Sequence, residues 1–305
     1  TLLARHLEEK GVEHLHNHFV FGSCTVAAVA ARLTGIPYSF TLHGPADLFR
    51  PYYWDLATKT AHARFVATIS HYARSQLMFF SDPEHWEKLH IIHCGVTPER
   101  YSTPASPAIP PRREGEVRLL FVGRLAPVKG LRDLFKALAE VLPDLPNINM
   151  VLVGDGPDRK RLEEAAKPLG DAVTFTGYLS QAEVAQAMQG TDVFVLPSFA
   201  EGVPVVLMEA LASARPVIAT QVAGVGELVE DGTTGFIVPP GDATRLADRI
   251  RTLATDPELR ARMGAAGPAV VASDFDIRTE AARLATLFAG EAEGAIRPAP
   301  YDGDS

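Results

Sequence analysis

The amino-acid sequence predicts an α/β protein made of two doubly wound, Rossmann-like domains, each built on a parallel sheet. Three observations carry that prediction. Short β-branched runs alternate with helical patterns along most of the 305 residues. Those runs are continuously apolar instead of alternating in polarity, the signature of strands covered by helices on both faces. Between two such series lies Ser102-Thr-Pro-Ala-Ser-Pro-Ala-Ile-Pro-Pro-Arg-Arg-Glu-Gly115, too rich in proline and small residues to hold a regular element and therefore a linker.

Taken in order, residues 1–10 read as a helix already under way, with Leu2, Leu3 and Leu7 on one side. Strand candidates follow at 12–16, 37–42, 65–69 and 89–92, separated by helical segments such as 25–33 and 72–80. Beyond the linker, strand and helix alternate as 117–122 with 131–141, 148–153 with 159–169, 173–175 with 182–188 and 193–196 with 204–214, closed by a strand at 216–219. Residues 277–288 are amphipathic, and from Gly290 to Ser305 all periodicity is lost. The expected organisation is a first domain at 1–102, a linker at 103–115, a second domain at 116–272, a helix at 273–290 returning to the first domain, and a disordered tail at 291–305.

At 47% hydrophobic residues the chain has the composition of a globular protein that buries a core. Apolar stretches such as 26–31 and 203–208 fall far short of the ~20 residues that cross a bilayer, and no signal peptide opens the chain. A cytoplasmic protein is expected. Cys24 and Cys94 lack metal-ligand spacing and read as reduced thiols. Residues 1–102 carry nine cationic and nine acidic side chains, so the net charge of −8 lies wholly beyond them, whereas all ten histidines lie within them. A near-neutral lobe approaches an anionic partner or membrane surface more easily than an acidic one. No basic stripe of the nucleic-acid-binding kind is present, and no nucleic-acid partner is expected.

Open α/β sheets bind ligands where strands end and helices begin, because backbone N–H groups and the helix dipole point there. After the 117–122 strand comes Gly123-Arg124-Leu125-Ala126-Pro127-Val128-Lys129-Gly130, which supplies two cations and two glycines. Arginine offers phosphate a rigid fork and lysine a mobile point charge. The order is not that of a Walker loop, and standing alone the segment reads first as a solvated surface turn. After the 193–196 strand comes Glu201-Gly202-Val203-Pro204, and Pro204 suits a first helical turn, which places Glu201 and the Gly202 and Val203 amides at a helix start. Capping is the alternative role for Glu201. Glu209 follows among Val205, Val206, Leu207, Met208, Ala210 and Leu211, so its carboxylate is expected to be partly buried. It therefore needs a donor, either from the protein, a basic residue for instance, or from a ligand's pair of hydroxyls.

Glu201 and Glu209, flanking Gly-Val-Pro-Val, resemble the Glu-x7-Glu signature of family 4 retaining glycosyltransferases, and Gly123-Arg124 with Lys129-Gly130 resembles their phosphate-binding turn. Further resemblances span nearly the whole chain: His43 in Thr-Leu-His-Gly, Val153-Gly-Asp-Gly-Pro157, Phe175-Thr-Gly-Tyr178, Pro216-Val-Ile-Ala-Thr220, Gly224-Val-Gly-Glu227 and Asp231-Gly-Thr-Thr-Gly235. The segments His14-Leu-His-Asn-His-Phe19, Pro37-Tyr-Ser-Phe-Thr-Leu-His43 and His90-Ile-Ile-His-Cys-Gly-Val96 look most like bacterial exopolysaccharide enzymes of the colanic acid type. Two positions depart from the family pattern. Ala46 stands where an Asp often follows the histidine, with Asp47 next, and Gly226 replaces the usual proline before Glu227.

The resemblance implies the GT-B architecture, two Rossmann-like domains facing across a cleft. It implies retaining transfer of a hexose from a UDP- or GDP-sugar, the base unspecified, to a glycan or lipid-linked oligosaccharide acceptor, with peripheral contact at the cytoplasmic face of the inner membrane. Gly123, Arg124 and Lys129 would hold the donor diphosphate and neutralise its charge as the glycosidic bond breaks, in place of a metal, so no cofactor is expected. Glu209 would accept the ribose hydroxyls, Glu201 with the Gly202 and Val203 amides would hold the transferred sugar, and Gly177, Tyr178 and Leu179 would read the base edge. His43, from the other lobe, would face the reacting sugar. The competing classes are a nucleotide-sugar-binding protein without transfer and an epimerase on the same scaffold.

His14, His16 and His18 alternate along one strand face, a spacing that three neutral imidazoles use for zinc, yet no carboxylate or cysteine lies alongside and no metal is expected. His71, His90 and His93 read as local hydrogen-bonders. Four strand candidates before the linker are fewer than the resembled scaffold uses, so the first domain is expected to be incomplete, with an uncovered strand edge.

Overall fold

The computed structural model describes residues 2–102 and 109–290. The chain divides into two compact units, Thr1–Cys94 with Arg278–Ser305, and Gly95–Ile277.

In the first unit β1 (Leu15–His18), β2 (Tyr38–Leu42), β3 (Val66–Thr68) and β4 (Leu89–Ile91) lie side by side in chain order, all parallel. Parallel neighbours need crossovers, and helices Gly22–Thr34, Leu56–His62 and His71–Phe79 supply one each. Ser70 starts the last of these by accepting the Ala73 N–H on its side chain. All five residues of β2 are buried, and Phe40 and Leu42 centre a core with Val20, Val66 and Leu77. The first strand begins at Leu15, not at the expected residue 12, because helix Leu2–Glu9 ends in a turn that still ties the Val12 N–H to the Leu7 carbonyl.

The second unit orders its strands β10-β9-β8-β5-β6-β7, all parallel, where β5 is Val117–Val122, β6 Ile148–Val153, β7 Val173–Gly177, β8 Val193–Leu196, β9 Val217–Thr220 and β10 Gly235–Val238. From the neighbours β5 and β8 the chain winds outward both ways, which makes this sheet doubly wound. Helix Leu131–Val141 shows how the faces are covered: Leu131, Leu134, Phe135, Leu138 and Val141 form one buried stripe at helical spacing. β10 and helices Ala243–Thr255 and Pro257–Asp274 extend the unit beyond the last strand expected from the sequence.

The compact units divide eight residues before the expected division at residue 102, after Cys94. Residues 95–102 belong to the second unit because Val96 pairs with Asp276 as a parallel bridge: its N–H donates to the Phe275 carbonyl at 2.9 Å and its carbonyl accepts the Ile277 N–H at 3.0 Å. Of the expected linker, residues 103–108 lie outside the described residues, and Ile109 is buried while the Pro110 carbonyl accepts from the Arg118 guanidinium at 2.8 Å. Helix Ile277–Ala289 passes into the first unit from Arg278 onward, where buried Glu280 accepts the His93 N–H at 2.8 Å and pairs with Arg283 at 2.5 Å. The expected tail, 291–305, lies outside the described residues. Among the described residues no helix is long and apolar enough to cross a membrane.

Candidate functional site

Where strand order reverses between β5 and β8, an open α/β sheet leaves a crevice beyond its C-terminal strand ends. Both turns at that point carry residues singled out in the sequence. Gly123, Arg124 and Lys129 follow β5, and Glu201, Gly202 and Val203 follow β8. The two turns interlock through their backbones. The Phe199 N–H donates to the Val128 carbonyl at 2.7 Å, and Gly130 packs so closely that a Cβ there would lie 2.0 Å from the Pro197 carbonyl oxygen. Across this junction Lys129 Nζ donates to Glu201 Oε1 at 2.5 Å, with the two side chains 20% and 12% exposed. Arg124, on the same turn as Lys129, is exposed. An ion pair that is mostly withdrawn from water holds the ammonium in a fixed place, which a solvated lysine lacks.

Further turns join the same edge. A Cβ at Gly154, after β6, would lie 2.0 Å from the Gly123 carbonyl oxygen, and the Leu125 N–H donates to the Asp155 carbonyl at 2.9 Å. The Gly154 N–H in turn donates to the Gly177 carbonyl at 2.8 Å, which fixes the end of β7; beyond it Tyr178 is 82% exposed and Leu179 half-buried. On the other side the Gly202 carbonyl accepts the Gly224 N–H at 3.1 Å, anchoring the short helix that carries Gly226 and Glu227.

One expectation about the β8 turn is corrected, and Glu209 on the helix after it finds a protein donor. Pro204 is the residue before the helix Val205–Ala212, with extended backbone (φ −72°, ψ 119°), and so does not occupy its first turn; Glu201 therefore lies outside the helix and pairs with Lys129 instead of capping it. Glu209 is buried, and its protein donor is not a basic residue but Tyr101, whose O–H donates to Oε1 at 2.8 Å. Burial pushes the Glu209 carboxyl above its ordinary value, and the Tyr101 hydrogen bond opposes that rise. Tyr101 went unnoticed in the sequence because its partner is 108 positions away and nothing between residues 97 and 102 marks it.

In the first unit His43 follows β2 and is half-buried. Its Nε2 is hydrogen-bonded with His18 Nδ1 at 2.7 Å, and Cys94 Sγ lies 3.8 Å from its Nδ1. Burial, and next the neighbouring His18, hold its pKa down at about 4, so the ring is neutral near pH 7. Asp47, displaced by one position from the family pattern, is buried and accepts the His43 backbone N–H at 3.0 Å. The imidazoles of His14 and His16 are occupied within the sheet. His14 Nε2 and His16 Nδ1 both contact the Ser39 hydroxyl, at 2.7 and 2.6 Å, and His16 Nε2 contacts the Thr41 hydroxyl at 2.8 Å. Among the described residues no group of three His, Cys, Asp or Glu side chains is placed to hold a metal ion. His93 is a local hydrogen-bonder through Nδ1, which contacts the Ile69 carbonyl at 2.8 Å.

Two Rossmann-like, parallel-sheet units in one chain constitute the GT-B fold. HepE from Anabaena, crystallised in complex with UDP, has that fold in common with this chain at a TM-score of 0.81 and 22% identity, over 95% of this chain and 81% of its own. The chain belongs to the glycosyl transferases group 1 family, whose model matches residues 102–270, and the Glycosyltransferase Family 4 model matches residues 1–100. A glycosyltransferase of Methanocaldococcus jannaschii is 30% identical over 86% of this chain and 71% of its own length. The alpha-D-kanosaminyltransferase of Streptomyces kanamyceticus is 36% identical over 56% of this chain, which spans 45% of that relative.

Proposed function

We propose that this protein is a retaining hexosyltransferase that takes its sugar from a UDP- or GDP-sugar and delivers it to a glycan or lipid-linked oligosaccharide acceptor in bacterial exopolysaccharide synthesis of the colanic acid type. The observation that carries this reading is the Lys129–Glu201 pair, with exposed Arg124 on the same turn, at the point where strand order reverses. Family membership and the UDP and UDP-glucose complexes of HepE support a nucleotide-sugar donor.

Arg124 and Lys129 hold the diphosphate, and their charge grows in value as the bond from the sugar's anomeric carbon to the phosphate oxygen breaks. The leaving phosphate takes the acceptor hydroxyl's proton on the same face, so the new bond keeps the donor's configuration. Glu201 fixes the Lys129 ammonium and, with the Gly202 and Val203 amides, accepts and donates to hydroxyls of the transferred sugar. Glu209 accepts the ribose hydroxyls, and Gly177, Tyr178 and Leu179 face the base. His43, neutral at pH 7, contributes a hydrogen bond to the transfer step without adding charge. The cations take the place of a metal in this mechanism, so EDTA leaves turnover intact; loss of activity on chelation, restored by zinc, returns attention to His14, His16 and His18. The near-neutral first 102 residues favour peripheral contact with the cytoplasmic face of the inner membrane.

The test is a panel of labelled UDP- and GDP-sugars with a bacterial lipid extract, the product's anomeric configuration being read by NMR. Transfer with retention supports the proposal. Interconversion of the free sugar nucleotides, or binding without transfer, refutes it.

A further inference from the structure

We propose that Tyr101 is a positioning residue for donor binding: its hydroxyl sets the orientation in which the Glu209 carboxylate meets the ribose. This deepens the donor reading above and rests on its assignment of Glu209 to the ribose. Three observations support it. Tyr101 is 1% exposed, so its ring has one place to lie, and its O–H reaches Glu209 Oε1 at 2.8 Å. The residue is held independently of that bond, since its own carbonyl accepts from Gln189 Nε2 and its N–H donates to the Pro98 carbonyl at 3.0 Å. Glu209, by contrast, stands on a helix whose other residues from Leu207 to Ala212 are buried and apolar, so those side chains offer it no hydrogen bond.

The chemistry suits the task. An ionised carboxylate accepts at about four lone-pair positions, so one phenolic O–H fixes the plane of the group and leaves capacity for a pair of ribose hydroxyls. A basic partner in the same place would compete for that capacity with three donors from lysine or five from arginine, and its full charge would lower the carboxylate's basicity further than a phenol does. Tyrosine orients without neutralising.

The experiment compares affinities by calorimetry for UDP and GDP and for their 2′,3′-dideoxy forms, in wild type, Tyr101→Phe, Glu209→Gln and the double variant. Wild type is expected to prefer the ribose form by about 10–100-fold, the scale of hydrogen bonds to a charged group. Tyr101→Phe keeps the ring's volume and is expected to lower that preference by about tenfold while leaving dideoxy affinity unchanged. In the Glu209→Gln background the Phe substitution should then change nothing further. Equal loss for both ligand forms makes Tyr101 a purely structural contact and overturns the proposal, as does an unchanged ribose preference in Tyr101→Phe. The double variant, which removes the buried charge that Tyr101→Phe leaves bare, keeps the comparison open if the single variant folds poorly: any Tyr101 effect that persists there also overturns the proposal. Failure of the donor reading looks different, for then wild type itself binds neither diphosphate or does not distinguish ribose from dideoxyribose.

Discussion

Around the residues singled out in the sequence, the two units rely on different polar pairings. The first pairs imidazoles with hydroxyls and with one another, as in His14 and His16 on Ser39 and His18 on His43, and burial holds His14, His16, His43 and His90 below their ordinary pKa. The second uses carboxylates: Glu201 is paired with a cation, while Glu209 is given only a phenol, and burial raises its pKa. The difference teaches that the turns where the diphosphate is proposed to bind hold a cation–carboxylate pair, whereas at the histidine-bearing strand ends of the other unit imidazoles bond one another and hydroxyls, with the buried Asp47 side chain tied to the His43 backbone.

The largest expected effect tests that contrast directly. Lys129→Ala and Arg124→Ala should each lower kcat by roughly 10²–10³, the scale for losing one preorganised charge-stabilising group. His43→Ala should cost about tenfold, the scale of one hydrogen bond made by a neutral ring. Steady-state kinetics that rank His43 above both cations would break the comparison. Next in size, Glu209→Gln should weaken nucleoside diphosphate binding by about 10–100-fold and Glu201→Gln by less than tenfold, because the diphosphate alone carries the ribose but not the transferred sugar. Equal losses in a titration would remove the division of labour between the two carboxylates.

A third expectation concerns stability. The Glu209 pKa is raised above its ordinary 4.5, so the folded protein binds that proton more tightly than the unfolded chain, and stability declines as pH rises from about 4.5 through the folded value. Glu209→Gln should therefore raise the Tm of the ligand-free protein at pH 8 by roughly 2–4 °C if the buried charge costs about 1 kcal/mol, and the gain should vanish at acid pH. The histidines act with the opposite sign. His16 and His43 fall from 6.5 to about 4, so the unfolded chain takes up their protons first, and the first unit loses stability as pH falls from about 6.5 to 4. Hydrogen exchange followed from pH 7 to pH 5 should show strands β1 and β2 opening before β5 and β6. Uniform loosening of both units would contradict it.

Much of this was legible in the chain. Continuous apolar strands such as Val193–Leu196 announce a parallel sheet, and Arg124, Lys129 and Glu201 stand on strand-to-helix turns, the edge at which open α/β sheets bind ligands whatever the side chains. Pairings between distant residues were not legible. That Lys129 would meet Glu201, 72 positions on, follows only from β5 and β8 being neighbours, and no local pattern states strand order. Tyr101 was hidden for a related reason: it stands just before the proline-rich run, in a segment that the backbone pairing of Val96 with Asp276 ties into the second unit. The start of β1 was misplaced because the turn after helix Leu2–Glu9 has no proline to announce it.

The interlocked turns also decide which pieces of sequence relatives can exchange. Because a side chain at position 130 would meet the Pro197 carbonyl and the Phe199 amide is used by Val128, segments 123–130 and 197–204 form one cassette despite the three α-helices and three strands between them. Recombination that takes one segment from each of two parents mismatches two backbones in van der Waals contact. The stretch after β7 is different, since Gly177 is tied to its neighbour by a backbone bond from Gly154 and Tyr178 projects into solvent. Shuffled libraries that cross over at 178–180 should keep their fold and, under the proposed donor reading, vary in base preference, whereas those that split the cassette should be depleted among folded clones.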